Sequence, residues 1–186
     1  MALSETEVVD AALAILDTYG LADLTMRRLG DALGVRAGAL YHHVDNKQGL
    51  LALLADRILG EVPDDQGQWR GALAGWASGL RAALLRHRDS AEVVASVRAM
   101  GLGTVDAVTH PVSVLRAAGL SDAQAAPAAS ALLHFVLGHV AEEHARADWE
   151  KFGRPAPGER PRSDARSFEL GVGLLVDGIG VRFSLL

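Results

Sequence analysis

Between Thr25 and Lys47 the chain has room for two short helices, a tight turn and the start of a third helix, and for little else. Thr25 can accept a backbone N–H bond and open the first short helix. Leu29 and Leu33 give that helix one apolar face, and Gly34 supplies a left-handed residue to end it. Val35 and Leu40 can anchor the second short helix. Its other side chains, Arg36, Ala37, Gly38, Ala39, Tyr41, His42 and His43, are small, basic or aromatic with a polar tip, the kinds that reach groove edges and phosphates. The layout is a helix-turn-helix, and its second helix is the expected reader of DNA. Asp45 with Gln48 predicts a capping box that starts a further helix at about Asn46 and puts Lys47 in its first turn. A cation there opposes the helix dipole, unless the helix end and the lysine together face a phosphate supplied from outside.

A helix pair joined by glycine also occurs in proteins that never meet nucleic acid. A second reading therefore stays open at this point: a helical small-molecule-binding protein or enzyme in which residues 25 to 47 are only structural. Overall charge favours that alternative, since the formal net charge is −5 and residues 1 to 62 hold five Lys/Arg against nine Asp/Glu. Locally the balance reverses. Residues 24 to 47 carry Arg27, Arg28, Arg36 and Lys47 against Asp31 and Asp45, with His42 and His43 beside them. A small basic footprint in acidic surroundings predicts weak non-specific binding and dependence on dimeric, site-matched contact.

TMRRLGDALGV followed by GALYHHVDNKQGLL resembles the DNA-binding domain of TetR-type transcriptional repressors. The resemblance continues through LRAALLRHRD (80 to 89), LLHFVLGHVAEE (132 to 143) and the terminal apolar helix, which are similar to parts of the tetracycline repressor subclass. It implies that Arg27 reads a base, that Tyr41 and Lys47 hold phosphates, and that the first residues of the reader helix set sequence preference. It also implies a homodimeric repressor that binds a palindromic double-stranded operator and is released by a small-molecule effector. The chain departs from the pattern at Arg36, where a capping Ser or Thr is usual, and at Ala37, Gly38 and Ala39, where polar base-reading residues are usual. Arg27, Arg36 and His42 must then carry much of the discrimination. The histidine that coordinates a drug-bound magnesium ion in that subclass aligns with Val94, and its drug-contacting histidine aligns with Pro63, although an acid is retained at Glu142. A magnesium–tetracycline chelate is therefore not the expected effector.

The fold class expected is all-α, with an N-terminal three-helix helix-turn-helix domain over 1–62 joined to a larger helical effector-binding and dimerisation domain over 63–186. Ser4 and Glu7 form a capping box, followed at helical spacing by Val8, Ala11, Ala12, Ile15 and Leu16 until Gly20. Pro63 with DDQGQ marks the break between domains. Trp69, Leu73, Trp76, Leu80, Leu84 and Leu85 trace a helical stripe, and a shorter helix spans Ser90 to Met100. Pro111 kinks a helix within 105–118 or marks its first turn, and Gly119 closes it. Ser121 and Gln124 open a long helix toward Trp149, with Leu132, Leu133, Val136, Leu137 and Val140 inward. FGRPAPGERPR reads as a loop. The last helix, from Asp164, is apolar on nearly every side and carries Gly171, Gly173, Gly178 and Gly180. Ala125, Ala128, Ala129 and Ala131 give the long helix a matching small-residue face. A homodimer through residues 122–149 and 164–185 is expected.

No run of about eighteen uncharged apolar residues occurs, and MALSETEVVD lacks a basic and an apolar leader region, so a cytoplasmic location without membrane contact is expected. The absence of cysteine excludes disulfides and thiolate chemistry. His139 and Glu143 lie one helical turn apart, but no HExxH, P-loop, GxSxG or cofactor glycine motif occurs, so no enzyme, metal site or cofactor is expected. Trp76, Leu80, Val94, Val97, Met100, His110 and His134 are the candidate lining of an apolar effector pocket.

Overall fold

Ser4 opens the first helix through a reciprocal cap. Its hydroxyl oxygen accepts the Glu7 N–H at 3.2 Å, while the Glu7 carboxylate accepts the Ser4 N–H at 2.8 Å. The Ser4 hydroxyl, and then the Ser4 N–H, hold the Glu7 carboxyl below its ordinary pKa. The stabilisation from a carboxyl lowered in this way is present above its unfolded pKa and fades as pH falls through the folded value. Ser4→Ala is accordingly expected to move the Glu7 carboxyl titration upward, toward the ordinary glutamate value, when followed by NMR; an unmoved titration contradicts the cap.

The computed structural model describes residues 3–63, 67–151 and 164–185. Among them the chain is helical with no strand: α1 (Glu5–Tyr19), α2 (Met26–Leu33), α3 (Ala37–Leu40), α4 (Lys47–Leu59), α5 (Trp69–Leu85), α6 (Ser90–Ala99), α7 (Thr109–Ala117), α8 (Asp122–Lys151) and α9 (Ala165–Phe183). No helix among the described residues is long and apolar enough to cross a membrane. The loop expected over 152–162 lies outside the described residues.

The chain divides into two compact units, Met1–Gly60 with Leu84–Val105, and Glu61–Ala83 with Asp106–Leu186. The sequence boundary after residue 62 is thus crossed by a later segment, 84–105, that packs with the first unit. Three carboxylates bind this segment to it. Asp17 of α1 accepts from the Arg88 N–H at 3.2 Å and meets His87 Nδ1 at 3.1 Å. Asp89, held at a left-handed φ of 55°, accepts the Leu21 N–H at 2.8 Å. Asp56 of α4 accepts from the Thr104 N–H and hydroxyl and from the Val105 N–H at 2.7–2.9 Å. α4 also packs on α6. Much of the acidic excess of residues 1–62 is therefore committed to internal bonds, including Asp10 to Arg57 and Asp23 to Arg28.

In the second unit α8 packs against α7 and α9. Leu132, Leu133, Val136, Leu137 and Val140 are buried, as the stripe predicts, and so are Ala125 and Ala129. Ala125 and Ala129 therefore belong to the core and not to an exposed small-residue face, because they share the inward side of α8 with Leu132 and Val136. α7 begins only at Thr109, and Pro111 sits buried in its first turn, where a missing N–H costs no helical bond. Ser121 caps α8 in half: its N–H and hydroxyl donate to Gln124 Oε1 at 3.0 and 2.9 Å. Asp164 and Ser167 form the box that opens α9. Glu143 of α8 holds Arg81 of α5 through two bonds of 2.6 and 3.0 Å. His139, 3.8 Å from that carboxylate, packs instead on the rings of Phe135 and Phe168. The His139–Glu143 pair is a packed structural arrangement.

Candidate nucleic-acid interface

Thr25 Oγ1 accepts the Arg28 N–H at 3.1 Å and opens α2, and Gly34 ends it in the left-handed conformation, φ 68° and ψ 24°. The chain then turns so tightly that a Cβ on Gly30 would lie 2.8 Å from the Val35 carbonyl oxygen and 3.2 Å from the Ala37 nitrogen. Gly30 is thus a contact glycine between α2 and the start of α3, a role the one-dimensional pattern does not reveal. Arg36 occupies the N-cap of α3 with extended backbone and no side-chain cap bond. Leu40 and Val44 are buried and moor α3 from beneath.

α4 is capped by Asn46, whose Oδ1 accepts the Gly49 N–H at 2.9 Å. The expected Asp45–Gln48 box does not form: the helix starts one residue later, so Gly49 and not Gln48 occupies the third position. Lys47 remains in the first turn, as its first residue.

Thr25, Arg27, Arg36, Gly38, Tyr41 and His42 are exposed, Tyr41 by 52%, while Ala37, His43 and Lys47 are half-buried. Arg27, Arg36 and Lys47 have no hydrogen-bond or ion-pair partner among the described residues. Arg28 differs. It pairs with Asp23 at 2.9 Å and lies over the Tyr19 ring at 4.3 Å, so it is spent on the fold. The unspent cations and the exposed tyrosine share the α2–α4 segment, and this arrangement can take phosphates and base edges.

The candidate effector residues are distributed differently. Trp76 and Leu80 are buried in α5 of the second unit, and Val94 and Val97 are buried in α6 of the first. Met100 is 44% exposed, because the chain leaves α6 there and turns at Gly101, φ 65°. His134 is exposed on α8, because Leu133, Val136 and Leu137 take the inward positions. His110 lines a hollow of about 360 Å³ with Trp69, Ala72, Ser113 and Val114.

α8 and α9 also carry an outward face. On α9, Leu170 and Leu174 are each 66% exposed and Val181 is 83% exposed. On α8, Pro127, Ala131, His134, Gly138 and Ala141 are exposed at steps of three and four. Pro127, Leu174, Leu175 and Ile179 line a largely apolar groove of about 400 Å³ between the two helices. The four glycines of α9 divide their labour. A Cβ at Gly171 would run into the Phe135 ring and one at Gly180 into Arg70, whereas Gly173 and Gly178 face open space on the outward side.

The fold and this surface define a helix-turn-helix protein with a separate helical unit. Residues 8–54 match the family model for bacterial regulatory proteins of the tetR family, and residues 62–161 match that for the tetracyclin repressor-like C-terminal domain. The tetracycline repressor protein class A from transposon 1721 of Escherichia coli is 34% identical over 97% of this chain and 92% of its own length. A crystal structure of BioQ with its natural double-stranded DNA operator superposes with a TM-score of 0.81 at 40% identity, covering 95% of this chain and 98% of that one. A TetR variant from Acinetobacter baumannii AYE in complex with minocycline gives a TM-score of 0.78 at 32% identity, covering 97% and 98%. The chain belongs to the TetR family of bacterial regulatory proteins, and it is a regulator, not an enzyme.

Proposed function

We propose that this protein is a cytoplasmic, ligand-responsive repressor that binds a near-palindromic operator as a homodimer. The observation that carries the reading is the exposed set Arg27, Arg36, Tyr41 and His42 on the α2–α4 segment, with Arg27 and Arg36 unpaired among the described residues. Arg27 contacts a base, Tyr41 and Lys47 contact phosphates, and α3 enters the major groove. Thr25, Ala37, Gly38 and His43 line the same contact.

The second copy covers the outward face of α8 and α9. Three large apolar side chains in water on one helix, beside an apolar groove and two open glycines, are a costly surface for an isolated chain and an ordinary one for a twofold interface. The relevant contact runs through Pro127, Ala131, His134 and Gly138 of α8 with Leu170, Leu174 and Val181 of α9.

A small, largely hydrophobic effector releases the repressor by preferring a dimer whose reader helices no longer match the operator; couplings of this kind are typically about 1–3 kcal/mol. His110 and the hollow it shares with Trp69 and Ser113 support an effector contact in the second unit. Val94 and Pro63, standing where the subclass has its ion- and drug-binding histidines, argue against a magnesium–tetracycline chelate.

The test is selection of bound fragments from the source genome, followed by titration of the selected duplex. Arg27→Ala and Tyr41→Ala are each expected to weaken binding about tenfold or more, leaving the dimer intact by light scattering. Full-strength binding by both variants would remove the assignment of this surface.

A further inference from the structure

We infer that Arg36 reads a guanine in each operator half-site and is the principal base-specifying side chain of α3. This rests on the operator-binding reading above and adds which residue specifies which base. Arg28, the one arginine directly beside Arg27, is withdrawn from the surface by Asp23 and the Tyr19 ring. Within α3 the three residues after the cap are Ala37, Gly38 and Ala39, none of which has a polar side-chain atom to offer a base edge. The first turn of the reader therefore presents a single hydrogen-bonding side chain, Arg36.

That side chain is free to work. It is exposed, has no partner among the described residues, and makes no capping bond to its own helix. Its origin is also fixed. The Val35 N–H donates to the Gly30 carbonyl at 2.9 Å, and Gly30 lets the backbone from Val35 to Ala37 press directly on α2. The guanidinium thus hangs from a rigid turn on a flexible stem. The small residues that follow let the helix backbone come close to the floor of a groove; nothing lies within 4 Å of the position a Cβ would take on Gly38. An arginine approaching the major groove at close range pairs bidentately with guanine N7 and O6, whereas the methyl groups of Ala37 and Ala39 can only touch a thymine methyl. Each half-site should therefore contain one guanine matched to Arg36, with methyl-bearing pyrimidines tolerated or preferred next to it.

The test is selection from a randomised palindromic duplex by the wild-type protein and by Arg36→Gln and Arg36→Ala, with melting curves to show that all three are folded. Wild type is expected to prefer guanine at one symmetric position by about tenfold or more. Arg36→Gln should shift that position toward adenine, and Arg36→Ala should flatten it, while the remaining positions keep their preferences. If both variants select the wild-type sequence with uniformly weaker binding, Arg36 is a phosphate contact and the inference is overturned. If wild type selects nothing, the operator reading itself fails, and the inference falls with it.

Discussion

Gly30→Ala is expected to abolish measurable operator binding and to destabilise the protein by about 1–3 kcal/mol. Gly30 is buried, and an added methyl would stand 2.8 Å from the Val35 carbonyl and 3.2 Å from the Ala37 nitrogen, both backbone atoms that cannot rotate away. The only relief is to push α3 off α2. Since α3 is one turn long and is moored chiefly by Leu40, the displacement passes directly to Arg36 and Tyr41. Gly38→Ala is the natural control, because that position has open space and should keep its fold. Thermal unfolding with a duplex titration checks both effects; a Gly30→Ala protein of unchanged stability and affinity contradicts the packing described for this turn.

Leu174→Asp is expected to convert the dimer to monomers and to lower operator affinity by about a hundredfold or more. In the isolated chain Leu174 is 66% exposed, so the substitution should leave the helical content of each chain in place. In the proposed interface the same position meets a second copy, and an unpaired carboxylate enclosed there costs about 3 kcal/mol or more. Two reader helices bound to one duplex share the association cost, so a chain that has lost its partner loses most of its affinity as well as its symmetry. Light scattering and circular dichroism on the variant separate this outcome from unfolding. A Leu174→Asp dimer of wild-type tightness places the interface elsewhere.

What the sequence makes legible is local. Ser4 with Glu7, Thr25 with the third residue after it, and Gly34 in the left-handed region are determined within a few residues, and each is found where its pattern puts it. Asn46 displaced Asp45 as a cap because two acceptors stood side by side, and a one-residue shift of the helix start decides between them. The long-range bonds were not legible. Asp56 meets Thr104, 48 positions away, and Asp89 meets Leu21, 68 positions away. Nothing in the alternation of polar and apolar residues marks those carboxylates as different from solvated ones, yet they tie 84–105 to the first unit, alongside the packing of α6 on α4. The same blindness affects helix faces. On α8 buried Ala125 and Ala129 lie on the side roughly opposite exposed His134, and a run of alanines carries too little amphipathic signal to fix which side faces inward. Pro127, inside α8, adds an irregularity at the groove that composition alone does not place. The residues expected at the reader surface are contiguous and fall on one segment, whereas the candidate effector residues come from four helices and the residue following one of them, spread over both units.

The most direct test is the mass of the complex on the selected palindromic duplex, measured across a salt series. Two chains per duplex, with log affinity falling linearly and steeply as log salt rises, is the result this account predicts. One chain per duplex, or binding indifferent to salt, contradicts it.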